Sequence, residues 1–245
     1  MQELPSITVI TVCYNAFEEL QRTLHSVFEQ NYPCLEYIIV DGASIDGTSE
    51  LLEQYKEHID LLISERDRGI YDAMNKGLQL ATSDYVCFMN AGDTFHSPDT
   101  LSEVFGQVDG AFPDVLYGET NIVDETGSFI RRRRLKAPSS LGFESFKQGM
   151  VVCHQSFYAK RAIAPLYDLR YKYSSDFDWC LKILRVGGKT MNTHLVLTDY
   201  LSEGATTRHR YASLIERARI MCKHYGLFQT VVAHVYFLFR ALIYR

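Results

Sequence analysis

Three apolar runs in the first hundred residues each deliver a polar side chain suited to binding: 6–14 leads into Asn15, 35–41 ends on Asp41 and 85–93 ends on Asp93. In open α/β sheets, ligands collect at the carboxyl ends of the strands, so three such ends describe one crevice. Between the first two runs, Phe17, Leu20, Leu24, Val27 and Phe28 recur at helical spacing. A β-branched run followed by a helical period is the mark of β-α-β units, and it predicts an α/β fold with a mostly parallel central sheet and helices on both faces.

The pattern continues. The turn Asp41-Gly-Ala-Ser-Ile-Asp-Gly47 leads into a helix with Thr48 as its expected N-cap. A third strand and helix are expected at 61–64 and 70–80, a fourth strand at 85–89 and a helix at 100–108. The rhythm then changes. Runs 115–123 and 128–135 flank Asp124-Glu-Thr-Gly127 as an antiparallel hairpin would, so the sheet should become mixed. A looser stretch at 136–149 precedes an expected strand at 150–158. A helix follows over 174–186, capped by Ser174 or Ser175, and then two C-terminal helices at 211–225 and 227–244. These elements suggest one domain over 1–226, with one half to about 120 and a second beyond it, and a separate amphipathic helix at 227–245.

With 245 residues, 47% of them hydrophobic, the chain can bury a core without disulfide or metal staples. The six cysteines are scattered and unpaired in spacing, which fits a reducing cytosol. The start lacks a basic segment followed by a long apolar stretch, so no secretory signal is expected and the protein should stay cytoplasmic. A net charge of -5 argues against a nucleic-acid partner. The lone basic run Arg131-Arg-Arg-Arg134 reads as a solvated strand or loop. Charge is uneven, however: from Arg208 onward there are seven Lys or Arg and one acid, Glu216. The final helix is apolar and aromatic but short for a bilayer crossing, and His234 and Arg240 interrupt it. It is expected either to rest on an anionic membrane or to close the domain as an ordinary amphipathic helix.

Asp41 stands where a dinucleotide-binding fold would also place an acid. The loop after the first strand, Cys13-Tyr-Asn-Ala-Phe17, has no glycine triplet to bring backbone against a pyrophosphate, so a nucleotide-sugar site is the better reading. Without such a cradle, a metal ion is the simplest neutraliser of a diphosphate. The competing reading of Asp41 is a turn-former that satisfies nearby backbone N–H groups.

Four segments, Thr8-Val-Ile-Thr-Val-Cys-Tyr-Asn15, Val40-Asp-Gly-Ala-Ser-Ile-Asp-Gly-Thr48, Ser64-Glu-Arg-Asp-Arg-Gly-Ile-Tyr-Asp-Ala-Met-Asn-Lys-Gly77 and Phe88-Met-Asn-Ala-Gly-Asp-Thr94, stand in an order and spacing that resembles glycosyltransferase family 2. Those are inverting enzymes of the GT-A fold, many of them in bacterial capsule, exopolysaccharide or O-antigen assembly. The resemblance implies that Tyr14 and Asp41 contact the base or ribose of a nucleotide-sugar, UDP-sugar by default. It places Thr11, Asn15, Asp67, Arg68, Asn90, Ala91 and Gly92 beside the donor as well, and it implies that the half to about 120 binds the donor and the half beyond it the acceptor. Asp93 would ligate a divalent cation, Mn²⁺ or Mg²⁺, which such hard cations accept from one or two carboxylates plus the substrate's phosphates. The chain departs from the family's Asp-x-Asp form, reading Asn90-Ala-Gly-Asp93 instead.

The resemblance implies Asp176 as the base that deprotonates the acceptor, with Asp178 as the alternative; the family's Glu-Asp reads Ser175-Asp176 here. His154 and Gln155 are weaker candidates for the acceptor or donor pocket, and Arg208, His209 and Arg210 for closure over the diphosphate. A lipid-linked saccharide is the implied acceptor. The chain lacks the Gln-x-x-Arg-Trp motif of processive members, so single-sugar transfer is expected. The rivals are a sugar nucleotidyltransferase, which would carry a glycine-rich basic loop after the first strand, and a silent binding module, which would need no base.

Overall fold

The computed structural model describes residues 4–202 and 209–243. Strands β1 (Ile7–Cys13), β2 (Leu35–Asp41), β3 (Leu61–Ser64) and β4 (Tyr85–Phe88) are parallel, in the order β3-β2-β1-β4. Every residue of β1 is buried, as a continuous apolar strand covered on both faces should be. Because the strands are parallel, Cys13, Asp41, Ser64 and Phe88 all end at one edge, and the crevice lies there.

Beyond β4 the sheet turns mixed, through β8 (Phe157–Lys160), β6 (Val115–Val123), β9 (Thr190–Leu201) and the short β5 (Thr94–Phe95). The expected hairpin is present, with β7 (Phe129–Arg132) antiparallel to β6. Arg131 and Arg132 are exposed on β7, as a solvated strand requires.

Helices α1 (Phe17–Phe28), α2 (Thr48–Gln54) and α4 (Thr100–Gly106) cover one face of the sheet. The other is covered by α3 (Ile70–Leu80), α5 (Ser175–Val186), α6 (Arg210–Tyr225) and α7 (Leu227–Ile243). Side chains alternate along β1, sending Ile7, Val9 and Cys13 to the first core and Ile10 and Val12 to the second. Gly77 lets α3 lie against the sheet, since a Cβ there would come within 2.5 Å of Ile10 Cγ2. Trp179 seats α5: it is fully buried, stacks on Tyr167 at 5.2 Å and meets Phe88 and Phe157 edge-on. Burying a side chain of that size contributes about 3 kcal/mol.

Several local expectations are corrected. The strand expected at 150–158 is an irregular segment, a single 3₁₀ turn at His154–Ser156 and then β8. Thr48 is the first helical residue and Gly47, at φ 99°, is the N-cap. Thr48 Oγ1 instead accepts from the Ala16 N–H at 3.0 Å, tying α1 to α2. Ser174 is the N-cap residue of α5 as expected, but its hydroxyl bonds Ser213 and makes no capping hydrogen bond, and Ser175 bonds the Asp168 carbonyl. The long β9 was not read from sequence. Its apolar alternation is broken by polar Asn192 and His194, and His194 sits at φ 57°, where the strand kinks.

Candidate active site

Two contiguous cavities occupy the carboxyl edge. The first, about 360 Å³, is bordered by Cys13, Tyr14, Asp67, Gly69 and Ala73. The second, about 150 Å³, is bordered by Asp93, His154, Gln155, Tyr173, Asp176 and Tyr200. Ile70, Asn90 and Ala91 border both, so they form one groove. At its outer end Tyr14 is 62% exposed. Its inner end holds the acids.

Asp93 follows β4 in the turn Asn90-Ala-Gly-Asp93, which Gly92 makes at φ 97°. The carboxylate is 4% exposed; Oδ1 accepts from the Leu201 N–H at 3.1 Å and Oδ2 from Gln155 Nε2 at 2.7 Å. Burial pushes its pKa up to about 6, against the pull of those two donors. A desolvated carboxylate with a lone pair left on each oxygen gains from a cation. Asn90 Oδ1, also bordering the groove, is buried without a partner. Two hard oxygens, one anionic and one orphaned, fit a divalent cation whose other ligands come from a diphosphate. Among the described residues no cluster of three His, Cys, Asp or Glu is present.

Asp176 lies in the first turn of α5, three residues before Trp179. Tyr71 donates to its Oδ1 at 3.0 Å, and His154 Nδ1 lies 3.5 Å from Oδ2. Burial acts to raise its pKa, but hydrogen bonding from His154, the charge of Arg217 and the Tyr71 hydroxyl outweigh it and hold the carboxyl below the usual range. It is therefore ionised at neutral pH and able to accept a proton. Asp178, two residues on, faces away. It is fully buried among Lys182, Lys223 and His224 at 2.7–3.1 Å, and these hold its carboxyl far below the usual range against the cost of burial. It ties α5 to α6 and does not border the groove.

Other candidates separate in the same way. Asp41 is fully buried, and its oxygens accept from the Ser44 N–H and hydroxyl, from Ser49 and, at 2.6 Å, from Ser64 directly across the β2–β3 register. Asn15, at φ 48°, accepts from the Ile45 N–H and donates its own N–H to Ser44. Thr11 bonds Tyr37 and the Met89 carbonyl inside the sheet. These three build the crevice without bordering it. Asp67 does border it and accepts from the Gly69 N–H at 2.7 Å. Arg68 pairs with Asp72 and Lys76 with Glu65 at the surface. Gly92 is buried, and a Cβ there would come within 2.7 Å of Leu201. His154 and Gln155 are buried at the inner end, and His209 packs its ring on Tyr173 at 4.8 Å. Arg208 lies outside the described residues, as does the side chain of Arg210. Tyr71 and Tyr200 were not foreseen as site residues. Tyr71 sits one helical turn before Asn75 on the buried face of α3, a position indistinguishable from core in a sequence.

The family model for glycosyl transferase family 2 matches residues 8–164. An uncharacterized glycosyltransferase of Mycobacterium tuberculosis is 30% identical over 225 residues, covering 88% of this chain and 82% of that protein. The amylovoran biosynthesis glycosyltransferase AmsB of Erwinia amylovora is 31% identical over 213 residues, covering 80% and 69%. Among solved structures, residues 1–349 of S. aureus TarS in complex with UDP-GlcNAc superpose with a TM-score of 0.68 at 16% identity, over 90% of this chain and 67% of that one. The mannosyltransferase PcManGT from Pyrobaculum calidifontis, in complex with GDP-Man and Mn²⁺, gives a TM-score of 0.60 at 22% identity, over 90% and 63%. This chain thus spans about two thirds of the solved chains it resembles. The expected α/β architecture is the one these GT-A enzymes share, and the chain belongs to glycosyltransferase family 2.

Proposed function

We propose that this glycosyltransferase moves a single sugar from a nucleotide diphosphate donor, UDP-sugar by default, to a hydroxyl of a lipid-linked saccharide, with inversion. One observation carries the reading: Asp93 and Asp176 border the same cavity, which continues into a second one of about 360 Å³ beside Tyr14 and Asp67. Asp93 and Asn90 would hold a Mn²⁺ or Mg²⁺ ion, which when bound offsets the charge that develops on the departing diphosphate. Tyr14, Asp67 and Ala91 orient the nucleoside and phosphates along the groove. Asp176 accepts the acceptor's hydroxyl proton as that oxygen bonds to the anomeric carbon and the bond from that carbon to the diphosphate breaks. One displacement inverts the centre. AmsB, whose name assigns it to amylovoran biosynthesis, supports an acceptor in surface polysaccharide assembly.

The test is release of nucleoside diphosphate from a panel of donors with Mn²⁺. Release that depends on added lipid-linked saccharide and stops with chelator is expected; the same release without acceptor would favour simple hydrolysis.

Residues 1–226 would carry this chemistry and α7 the membrane contact, at the cytoplasmic face. On α7, Leu227, Phe228, Val231, Val235, Leu238 and Phe239 form one apolar arc, each between 46% and 77% exposed, opposite the buried Thr230 and Ala233. Among the described residues no helix is long and apolar enough to cross a bilayer, so an interfacial contact suits this arc. The basic excess after Arg208 favours anionic lipid over a second copy, which would bring like charges together. In flotation assays the protein should rise with phosphatidylglycerol vesicles and not with phosphatidylcholine alone. Replacing Leu227, Val231 and Leu238 with Ser should abolish that without slowing turnover on a soluble acceptor; unchanged flotation would reject the assignment.

A further inference from the structure

We infer that Tyr71 and His154 are positioning residues for Asp176, each restraining one carboxylate oxygen, and that His154 acts in the tautomer with its proton on Nδ1. The inference rests on the glycosyl-transfer reading above, in which Asp176 is the base. The two restraints come from different parts of the chain, 3.0 Å to Tyr71 on α3 and 3.5 Å to His154 in the turn before β8. With one oxygen hydrogen-bonded and the other facing an imidazole nitrogen at 3.5 Å, rotation about the Cβ–Cγ bond is restrained, and the remaining lone pairs favour one direction into the cavity. A base aimed in this way meets the acceptor hydroxyl without searching for it.

Each restraint is itself anchored. Tyr71 is buried and stacks on Tyr167 at 5.4 Å, and Tyr167 stacks on Trp179 at 5.2 Å. The column that seats α5 therefore also sets the height of the Tyr71 hydroxyl against Asp176. His154 is buried beside Phe88, and its Nε2 faces Asn90 Nδ2 at 3.5 Å. An amide NH₂ only donates, so the ring nitrogen facing it is the acceptor and the proton belongs on Nδ1, toward Asp176. Gln155, the next residue, reaches Asp93 at 2.7 Å. One 3₁₀ turn thus braces both acids.

The tautomer makes the inference testable, because Asn places its amide nitrogen where the imidazole has Nδ1 and Gln places it nearer the position of Nε2. The variants are Tyr71→Phe, His154→Asn and His154→Gln, measured with the donor that supports wild-type turnover. Tyr71→Phe should lower kcat about tenfold, with donor Kd by calorimetry and acceptor KM within about twofold of wild type. His154→Asn should retain most of kcat while His154→Gln loses at least about tenfold. Equal losses in the two His154 variants, an unchanged kcat in Tyr71→Phe, or a loss appearing in donor Kd in place of kcat would overturn it. A wild-type protein that shows no acceptor-dependent release would remove the transfer reading, and this inference with it, before any variant is made.

Discussion

Asp176→Asn is expected to lower kcat for transfer by about 10²–10⁴-fold while leaving donor affinity within about twofold. The substitution keeps the size of the side chain and its packing against α3, and Tyr71 still has an oxygen to which it can donate. What it removes is the capacity to take up a proton. Because its carboxyl is held below the usual carboxylate range, Asp176 should add no acid limb of its own near neutrality, and any fall in rate near pH 6 in the wild type belongs to Asp93. Steady-state kinetics beside calorimetry of the donor separates the two effects. Retained turnover in Asp176→Asn would assign the proton to another group and leave the carboxylate a structural role.

Asp93 governs the second large effect. Asp93→Ala should cost about 10²–10³-fold in kcat/KM and abolish stimulation by Mn²⁺, because it removes the carboxylate proposed to hold the cation together with the orphaned Asn90 oxygen. The same group should leave a signature in stability. Its pKa rises from the usual 3.8 to about 6 in the ligand-free fold. The protonated, folded form is therefore favoured between those values, and the stability it contributes is present at low pH and lost as pH rises through about 6. At pH 8 the buried anion costs on the order of 3 kcal/mol. Urea midpoints at pH 5 and pH 8 should show this component in the wild type and not in Asp93→Asn, whatever the absolute stability of the variant. Mn²⁺ with nucleoside diphosphate should raise the melting temperature more at pH 8 than at pH 5, since the cation relieves the same penalty. Identical pH slopes in the two proteins would show that Asp93 is not a desolvated anion.

Parts of the site were legible because they are local. Asp93 ends an apolar run, and the run, its turn and the Gly92 that makes it are contiguous. That Asp176 and Asp178 face different ways follows from helical spacing, since residues two apart point to roughly opposite sides. Which of them turns to the groove is set by Trp179, whose stacking on Tyr167 fixes the rotation of α5. Asp41 shows the converse. A strand end supplies a carboxylate at the crevice, but whether it meets a ligand or its own turn depends on Ser64, brought opposite by the β2–β3 register.

By itself, the sequence determined the four parallel strands, the hairpin and the helices, the edge where their polar ends gather and the family to which the motifs correspond, all of which follow from periodicity and order along the chain. Only the tertiary structure decided which of those polar groups face the groove and what holds them there. Tyr71 meets Asp176 across 105 residues and Gln155 meets Asp93 across 62. Contacts at that separation arise from how the sheet is ordered and how the helices rotate on it, and no local pattern encodes either.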